Sequence, residues 1–265
     1  MTRVAWLSDI HLNFLADRDV DAFLDEVRST EPDVILLGGD VGESRDVCEY
    51  LERFASAVPC PIYFVLGNHD FYFGSIADVR ERVRQLCRRV PNLLYLSDSD
   101  SFELAPDVGL VGHDGWADGR LGDYERSYVM MNDYRLIAEL AGVGKQARLP
   151  QLHALGDEAG AHVRRVLPAA MDRYPQVFLL THVPPLREAC WHEGQLSDDE
   201  WAPHFTCLAM GEAILEVARS HPQCQLTVLC GHTHGAGQAQ PLENVLIYTA
   251  GAEYGRPAIA RVFEL

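Results

Sequence analysis

The sequence predicts an α/β fold made of two β-sheets with helices outside them, in a single domain covering residues 1–265. Three observations predict it. Short apolar runs alternate with segments of helical period over the first third of the chain. Several short strand-like runs then follow in close succession. No linker, low-complexity tract or internal repeat divides the 265 residues, a length ordinary for one large α/β domain.

Taken in order, "RVAWLS" reads as a buried strand, and Val20, Phe23, Leu24 and Val27 then recur at helical spacing. "DVILLGG" is the next apolar run, followed by a helix face of Val47, Tyr50, Leu51, Phe54 and Val58. "IYFVLG" precedes a third helix face of Ile76, Val79, Val83 and Leu86. Such units place their strands in parallel, with right-handed crossovers. "LLYLS", "SFELA" and "VGLVGHD" come next, with turn signals between them, and read as antiparallel or as a second sheet. Residues 115–132 have no clear period. A long helix is expected over much of Leu152 to Tyr174, with Pro168 near its end. "QVFLLTHV" is another buried strand, residues 184–205 read as irregular, and a helix is expected from about Leu208 to Ser220. "LTVLCGH", "VLIYTAG" and "AIARVFEL" complete the chain as strands.

Composition limits the partners. Hydrophobic residues make up 48% and charged residues 23%, enough for a sizeable core. The formal net charge of -17 repels a phosphate backbone and an anionic membrane, so nucleic acid and membranes are disfavoured. A small phosphorylated ligand stays compatible where local cations outweigh that field. No apolar run approaches the roughly 20 residues needed to span a bilayer. "MTRVAWLSDIHLNFL" is interrupted by Asp9 and His11 and lacks the features of a signal peptide. The seven cysteines are odd in number, widely spaced and without a C-x-x-C pair. Reduced thiols in a cytoplasm are expected, and a thiolate zinc site is not.

The polar residues fall at the strand ends. The first strand ends in "SDIH", with Asp9 and His11; the second in "GGD", with Asp40; the third in "GNHD", with Asn68, His69 and Asp70. "VFLLTH" ends in His182, and "LTVLCGH" in His232 with His234 beyond it. Each has a bland explanation alone: Asp40 as a turn carboxylate, Asn68 as a left-handed turn residue, His182 as a structural histidine. Together they would need unrelated accidents at the same end of five strands. In open α/β sheets that end is where ligands bind. The donors are carboxylate, imidazole and amide oxygen, a set suited to Mn, Fe, Zn or Co. Seven donors (Asp9, His11, Asp40, Asn68, His182, His232 and His234) exceed the needs of one ion. They fit two if one carboxylate bridges. Two ions about 4 Å apart can hold a hydroxide and clamp an in-line displacement at phosphorus.

The ordered motifs D-x-H (Asp9, His11), G-D (Gly39-Asp40), G-N-H-D (Gly67 to Asp70), a lone His182 and G-H-x-H (Gly231 to His234) resemble those of the calcineurin-like metallophosphoesterases. The resemblance implies a four-layer α/β/β/α sandwich of two mixed β-sheets flanked by helices. It implies that Asp9, His11 and His234 hold one metal, that Asn68, His182 and His232 hold the other, and that Asp40 bridges them. It implies that His69 protonates the leaving oxygen, with Asp70 either tuning its imidazole or merely stabilising the turn. Manganese, iron or zinc are the implied ions. His113 and Asp114 in "GHDGW" end a further strand and are candidates to edge the site.

These motifs imply a reaction class, hydrolysis of a small phosphodiester or phosphomonoester, and the layout is similar to the bacterial phosphodiesterase-like branch. A nuclease is the alternative, opposed by the acidic balance. A metal-free scaffold of the same fold is opposed by the intact motifs. Substrate choice is expected from two lid-like segments. Residues 115–132 hold Trp116, Arg120, Tyr124, Arg126 and Tyr128; residues 184–205 hold Trp191, His192, Trp201 and His204. Their arginines are candidates to grip a second phosphate and their aromatics to stack on a base.

Overall fold

The computed structural model describes residues 1–265. Strands β1 (Arg3–Leu7), β2 (Val34–Leu37), β3 (Ile62–Phe64) and β4 (Leu93–Tyr95) run in parallel, in that order. Side chains alternate across them, as the period of a strand requires. Ala5, Leu7, Ile35 and Leu37 pack outward against helices α1 (Asp17–Ser29), α2 (Val47–Ala57) and α3 (Ile76–Arg89). Val4, Trp6, Val34 and Leu36 face the other way. The helices form where the sequence favours them. Asp17 and Asp19 sit in the first turn of α1, where carboxylates oppose the helix dipole, and the Ser75 hydroxyl caps α3 by accepting the Asp78 N–H at 3.2 Å.

A second sheet carries β5 (Phe102–Ala105), β6 (Val108–His113), β7 (Gln176–Thr181), β10 (Gln225–Cys230), β12 (Val245–Thr249) and β11 (Gly237–Leu242), in that spatial order. Its four inner strands, β6, β7, β10 and β12, are parallel. Val177, Leu179, Val228 and Cys230 pack against α5 (Lys145–Arg173) and α7 (Leu208–Ser220). Phe178, Leu180 and Leu229 point inward and meet Val4, Trp6 and Leu36 in a shared inner layer. The layers are therefore helix, sheet, sheet, helix. The inner strands of both sheets are buried on both faces, which is why they read as unbroken apolar runs.

Three local expectations are corrected, and one strand is added. "LLYLS" forms β4, parallel to β3 at the edge of the first sheet, while only β5 and β6 form an antiparallel pair in the second. Helix α5 starts at Lys145 rather than Leu152, and contains Pro150 as well as Pro168. Residues 184–205 are not wholly irregular. They hold a hairpin of β8 (Trp191–His192) and β9 (Gln195–Leu196), turned by Glu193 and Gly194 at φ 50° and 78°, and the short α6 (Ala202–Phe205). Strand β11, "GQAQPL", was legible neither as alternating nor as apolar, and as an edge strand it tolerates Pro241. The last strand, β13 (Arg261–Glu264), pairs antiparallel with β1. All seven cysteines are free thiols, and no helix is long and apolar enough to cross a membrane.

Candidate metal centre

The loops that follow β1, β2, β3, β7 and β10 are laced to one another. Asp9 N–H donates to Gly39 O at 3.1 Å, and His11 N–H to Asp40 O at 2.9 Å. Gly231 N–H donates to His182 O at 2.8 Å. Across the two sheets, His232 N–H donates to Asp9 Oδ1 at 2.9 Å. Asp9, His11, Asp40, His232 and His234 all adopt left-handed backbone, with φ of 54°, 41°, 54°, 70° and 58°. Non-glycine residues rarely do so, at a cost of order 1–3 kcal/mol each. Asn68, at φ -65°, is right-handed, so a left-handed turn does not explain its presence.

Glycines permit the approach. A Cβ on Gly67 would lie 2.1 Å from Asp40 Oδ1 and 2.7 Å from His182 Cε1. On Gly231 it would lie 2.0 Å from Asp9 Oδ2.

The structure brings the seven predicted donors together in two adjoining groups. Asp9, His11, Asp40 and His234 place one ligand atom each within 4.8 Å of one another, a candidate metal site. His11 Nε2 lies 3.1 Å from His234 Nε2 and 3.7 Å from Asp40 Oδ2, and His234 Nε2 lies 3.6 Å from Asp9 Oδ1. In the second group, Asn68 Oδ1 lies 3.1 Å from His182 Nε2 and 2.9 Å from His232 Nδ1. Asp40 Oδ1 lies 3.5 Å from His182 Nε2. Asp40 thus presents one oxygen to each group.

Outer contacts fix which atom faces inward. The His182 Nδ1–H donates to Gly38 O at 2.9 Å, leaving Nε2 as the free lone pair. The His232 Nε2–H donates to His204 O at 3.1 Å, leaving Nδ1. The Asn68 amide donates to Asp133 Oδ1 at 2.9 Å and to the Tyr72 hydroxyl at 3.1 Å, which turns its carbonyl oxygen inward. Burial, reinforced by neighbouring imidazoles, pushes the pKa values of His11 and His232 far down, and burial lowers that of His234. The rings are therefore neutral, the form that binds metal. Burial first, then Asp9 and Asp70, pushes Asp40 well above the usual carboxylate range.

Asp133, Tyr72 and the carbonyl of His204 escaped sequence reasoning: Asp133 and His204 lie far in sequence from the strand ends they serve, and Tyr72, only four residues past Asn68, belongs to no motif. Tyr254 escaped as well. Its ring lies 4.6 Å from that of His11 and 4.8 Å from that of His234, and its hydroxyl 3.4 Å from His69 Nε2.

His69 stands outside both donor groups. Its N–H donates to Asp40 Oδ1 at 2.8 Å, and its ring packs on Tyr72 with centroids 4.2 Å apart. Burial first, then His182 and His234, pushes its pKa down to about 3. Asp70 does not touch that ring. Its carboxylate accepts four backbone N–H groups, from Asp40, Val41 and Gly42 at 2.9 Å and from Gly67 at 2.8 Å. It clamps the β2 and β3 loops together, so the turn-stabilising role fits and the imidazole-tuning role has no contact behind it. Burial pushes Asp70 up to about 7 against those four donors. Asp114 supports His182 by accepting its N–H at 3.0 Å through the backbone, while the His113 ring turns away toward His162.

In the expected lid segments, Trp116 is core, packed on Phe71, and Arg120 is tied to Asp118 and Asp157. Arg120 is therefore not available to grip a phosphate. Arg126 points into solvent beside Asp123. Lys145, the one lysine of the chain, donates to the carbonyls of Glu125 and Ser127 and so ties the first segment to the start of α5.

A model of the calcineurin-like phosphoesterases matches residues 2–236. The chain belongs to the calcineurin-like phosphoesterase family. It is thereby a metal-dependent phosphoesterase, and its donor groups are of the type that holds divalent metal ions. Among solved structures, it is similar to a dimetal phosphatase from Danio rerio, at 17% identity and a TM-score of 0.56, covering 94% of this chain and 87% of that one. It is similar to phosphopantetheinyl hydrolase from Mycobacterium tuberculosis, at 13% identity and a TM-score of 0.65, covering 94% and 89%. A protein from Thermus thermophilus aligns at 16% identity and a TM-score of 0.50, covering 94% and 89%. At such identities the likeness concerns the fold. No curated protein matches in sequence.

The closeness of Gly231 to Asp9 yields a prediction. Gly231→Ala should displace the Asp9 carboxylate and lower bound metal severalfold in elemental analysis of folded protein. Unchanged metal content would show that the loop yields without disturbing Asp9.

Proposed function

We propose that this phosphoesterase hydrolyses a small phosphomonoester or phosphodiester at a two-metal centre. The observation that carries this reading is Asp40, buried between two groups of nitrogen and oxygen donors with one carboxylate oxygen toward each. Asp9, His11 and His234 would hold one ion and Asn68, His182 and His232 the other, with Asp40 as the ligand common to both. Oxygen and imidazole donors without thiolate suit manganese, iron or zinc. Bound ions supply Lewis acidity and a nucleophile for in-line displacement at phosphorus.

The remaining steps belong to the chain's own side chains. Gly38 and His204 carbonyls hold the His182 and His232 rings in one tautomer each. Asp133 holds Asn68. His69, positioned through its own N–H on Asp40, faces the cleft and gives its proton to the leaving oxygen. An incoming phosphoryl anion raises the imidazole pKa from its depressed value and readies it for that role. Residues 115–132 and 184–205 form the cap of a single domain. The free cysteines are compatible with a reducing cytoplasm. Because no basic side chain lines the cleft beside His69, the strand-tracking groove of a nuclease gains no support.

Protein loaded with Mn²⁺ should cleave bis(p-nitrophenyl) phosphate or p-nitrophenyl phosphate, and a chelator should abolish the cleavage. Inactivity toward both with each of several metals would count decisively against the proposal. Asp40→Asn should lose most bound metal, and near-normal occupancy would remove its bridging role. His69→Ala should keep its metal while turnover falls by about 10²- to 10⁴-fold. Loss of metal in that variant would instead make His69 a ligand.

A further inference from the structure

The cleft that opens at His69 has a volume of about 480 Å³. That is within the range of about 300–1,000 Å³ that holds a small ligand. Both cap segments contribute to its walls, with Tyr128, Met130 and Trp201, and Tyr254 closes a third side. These side chains are exposed: Tyr128 by 93%, Met130 by 55%, Tyr254 by 47% and Trp201 by 36%. Large apolar side chains gathered in the open around one concavity mark a place where a ligand is buried.

The only charged side chain on this wall is Glu200, whose carboxylate accepts the Tyr128 N–H at 3.1 Å. No arginine or lysine reaches the cleft. The nearby cations are paired outside it: Arg120 with Asp118 and Asp157, Arg187 with Asp199, Lys145 with two carbonyls, and the exposed Arg126 and Arg256 with Asp123 and Glu253. A second phosphate or a carboxylate on the substrate would therefore meet a carboxylate and aromatic faces, with nothing to neutralise it. A flat, uncharged ring would meet surfaces on which it can stack.

We infer that this cleft is a specificity subsite for the alcohol portion of the ester, and that it selects a flat aromatic group bearing no further negative charge. The inference rests on the phosphoesterase reading and adds the substrate class. Tyr128 and Trp201 are its determinants, while Tyr254 spans the subsite and the donor groups, with its hydroxyl at His69 and its ring against His11 and His234.

The test compares esters whose alcohols have similar acidity, so that leaving-group chemistry does not decide the result. The metal-loaded enzyme is given 2-naphthylmethyl, cyclohexylmethyl and propyl phosphate, and the bisphosphate of 1,3-propanediol, each also as the methyl diester. The naphthylmethyl ester should exceed the cyclohexylmethyl ester in kcat/KM by about tenfold or more, the scale of one aromatic stacking contact. The bisphosphate should fall below propyl phosphate. In the Tyr128→Ala/Trp201→Ala double variant the naphthyl preference should shrink toward one, and Tyr128→Phe/Trp201→Phe should retain it, with metal content measured in both. Equal rates for the two ring esters, or preference for the bisphosphate, would overturn the subsite and leave the phosphoesterase reading standing. Absence of turnover on every ester, propyl phosphate included, would overturn both.

Discussion

Two carboxylates lie buried side by side at the joint rim of two sheets, and no arginine or lysine pairs with either. Asp9 and Asp40 have only imidazoles for ionic neighbours. Burial and mutual repulsion oppose charge on Asp40. Polar groups this deep are tolerable when every remaining atom is hydrogen-bonded and a cation completes the site. The loops meet most of the first half of that condition, leaving His11 Nδ1 and the Thr233 hydroxyl as the unpartnered buried atoms among them. The Asp9 carboxylate accepts from the Ser8 hydroxyl and from His232 N–H, Asp40 accepts from His69 N–H, and Asp70 absorbs four more backbone donors beneath them. The two sheets are tied together at this rim because first-sheet Asp9 accepts a hydrogen bond from a residue of the second.

The left-handed backbone is a result of the same condition. Five donor residues turn sharply just after their strands, so that side chains from separate strands reach common points. A strand end alone cannot do this, because successive side chains point to opposite faces. The strain is sustained by the interlocking hydrogen bonds around it, as in the pairs Asp9 N–H to Gly39 O and His11 N–H to Asp40 O. Metal binding to such a centre reinforces the hydrogen bonds that already join the two sheets there, so its free energy adds to that of folding.

Much of this was legible in the sequence because it rests on local pattern. Strands buried on both faces leave unbroken apolar runs, and the abrupt arrival of Asp, Asn or His at their ends is visible without any structure. What escaped depends on contacts distant in sequence. Nothing near Asp133 announces that it orients Asn68, and nothing near His204 that its carbonyl holds His232. Asp70 was half legible. Its neighbour His69 suggested a partner for an imidazole, whereas four backbone N–H groups, three of them from the loop after β2, claim it in space. Strand β11 was invisible because an edge strand exposed on one face needs few apolar residues. The placement of β4 in the first sheet and β5 in the second depends on pairing partners, which neither apolar run specifies by itself.

The cap and the rim differ in how they are held. The rim is fixed by interior hydrogen bonds, while the first cap segment has no helix or strand between β6 and α4 (Asp133–Leu136) and is held by backbone bonds from Asp118, Gly119 and Asp123 to the second segment, by the buried Trp116 and Tyr124, and by side-chain ties. One of them is Lys145, whose ammonium gathers two carbonyls of that segment at the head of a 29-residue helix. Since no other side chain in the protein carries a primary amine, an amine-directed fluorophore or isotopic methyl group attached to a side chain reports from this one joint. The surroundings of this joint can thus be followed spectroscopically without introducing a cysteine into a chain that already has seven.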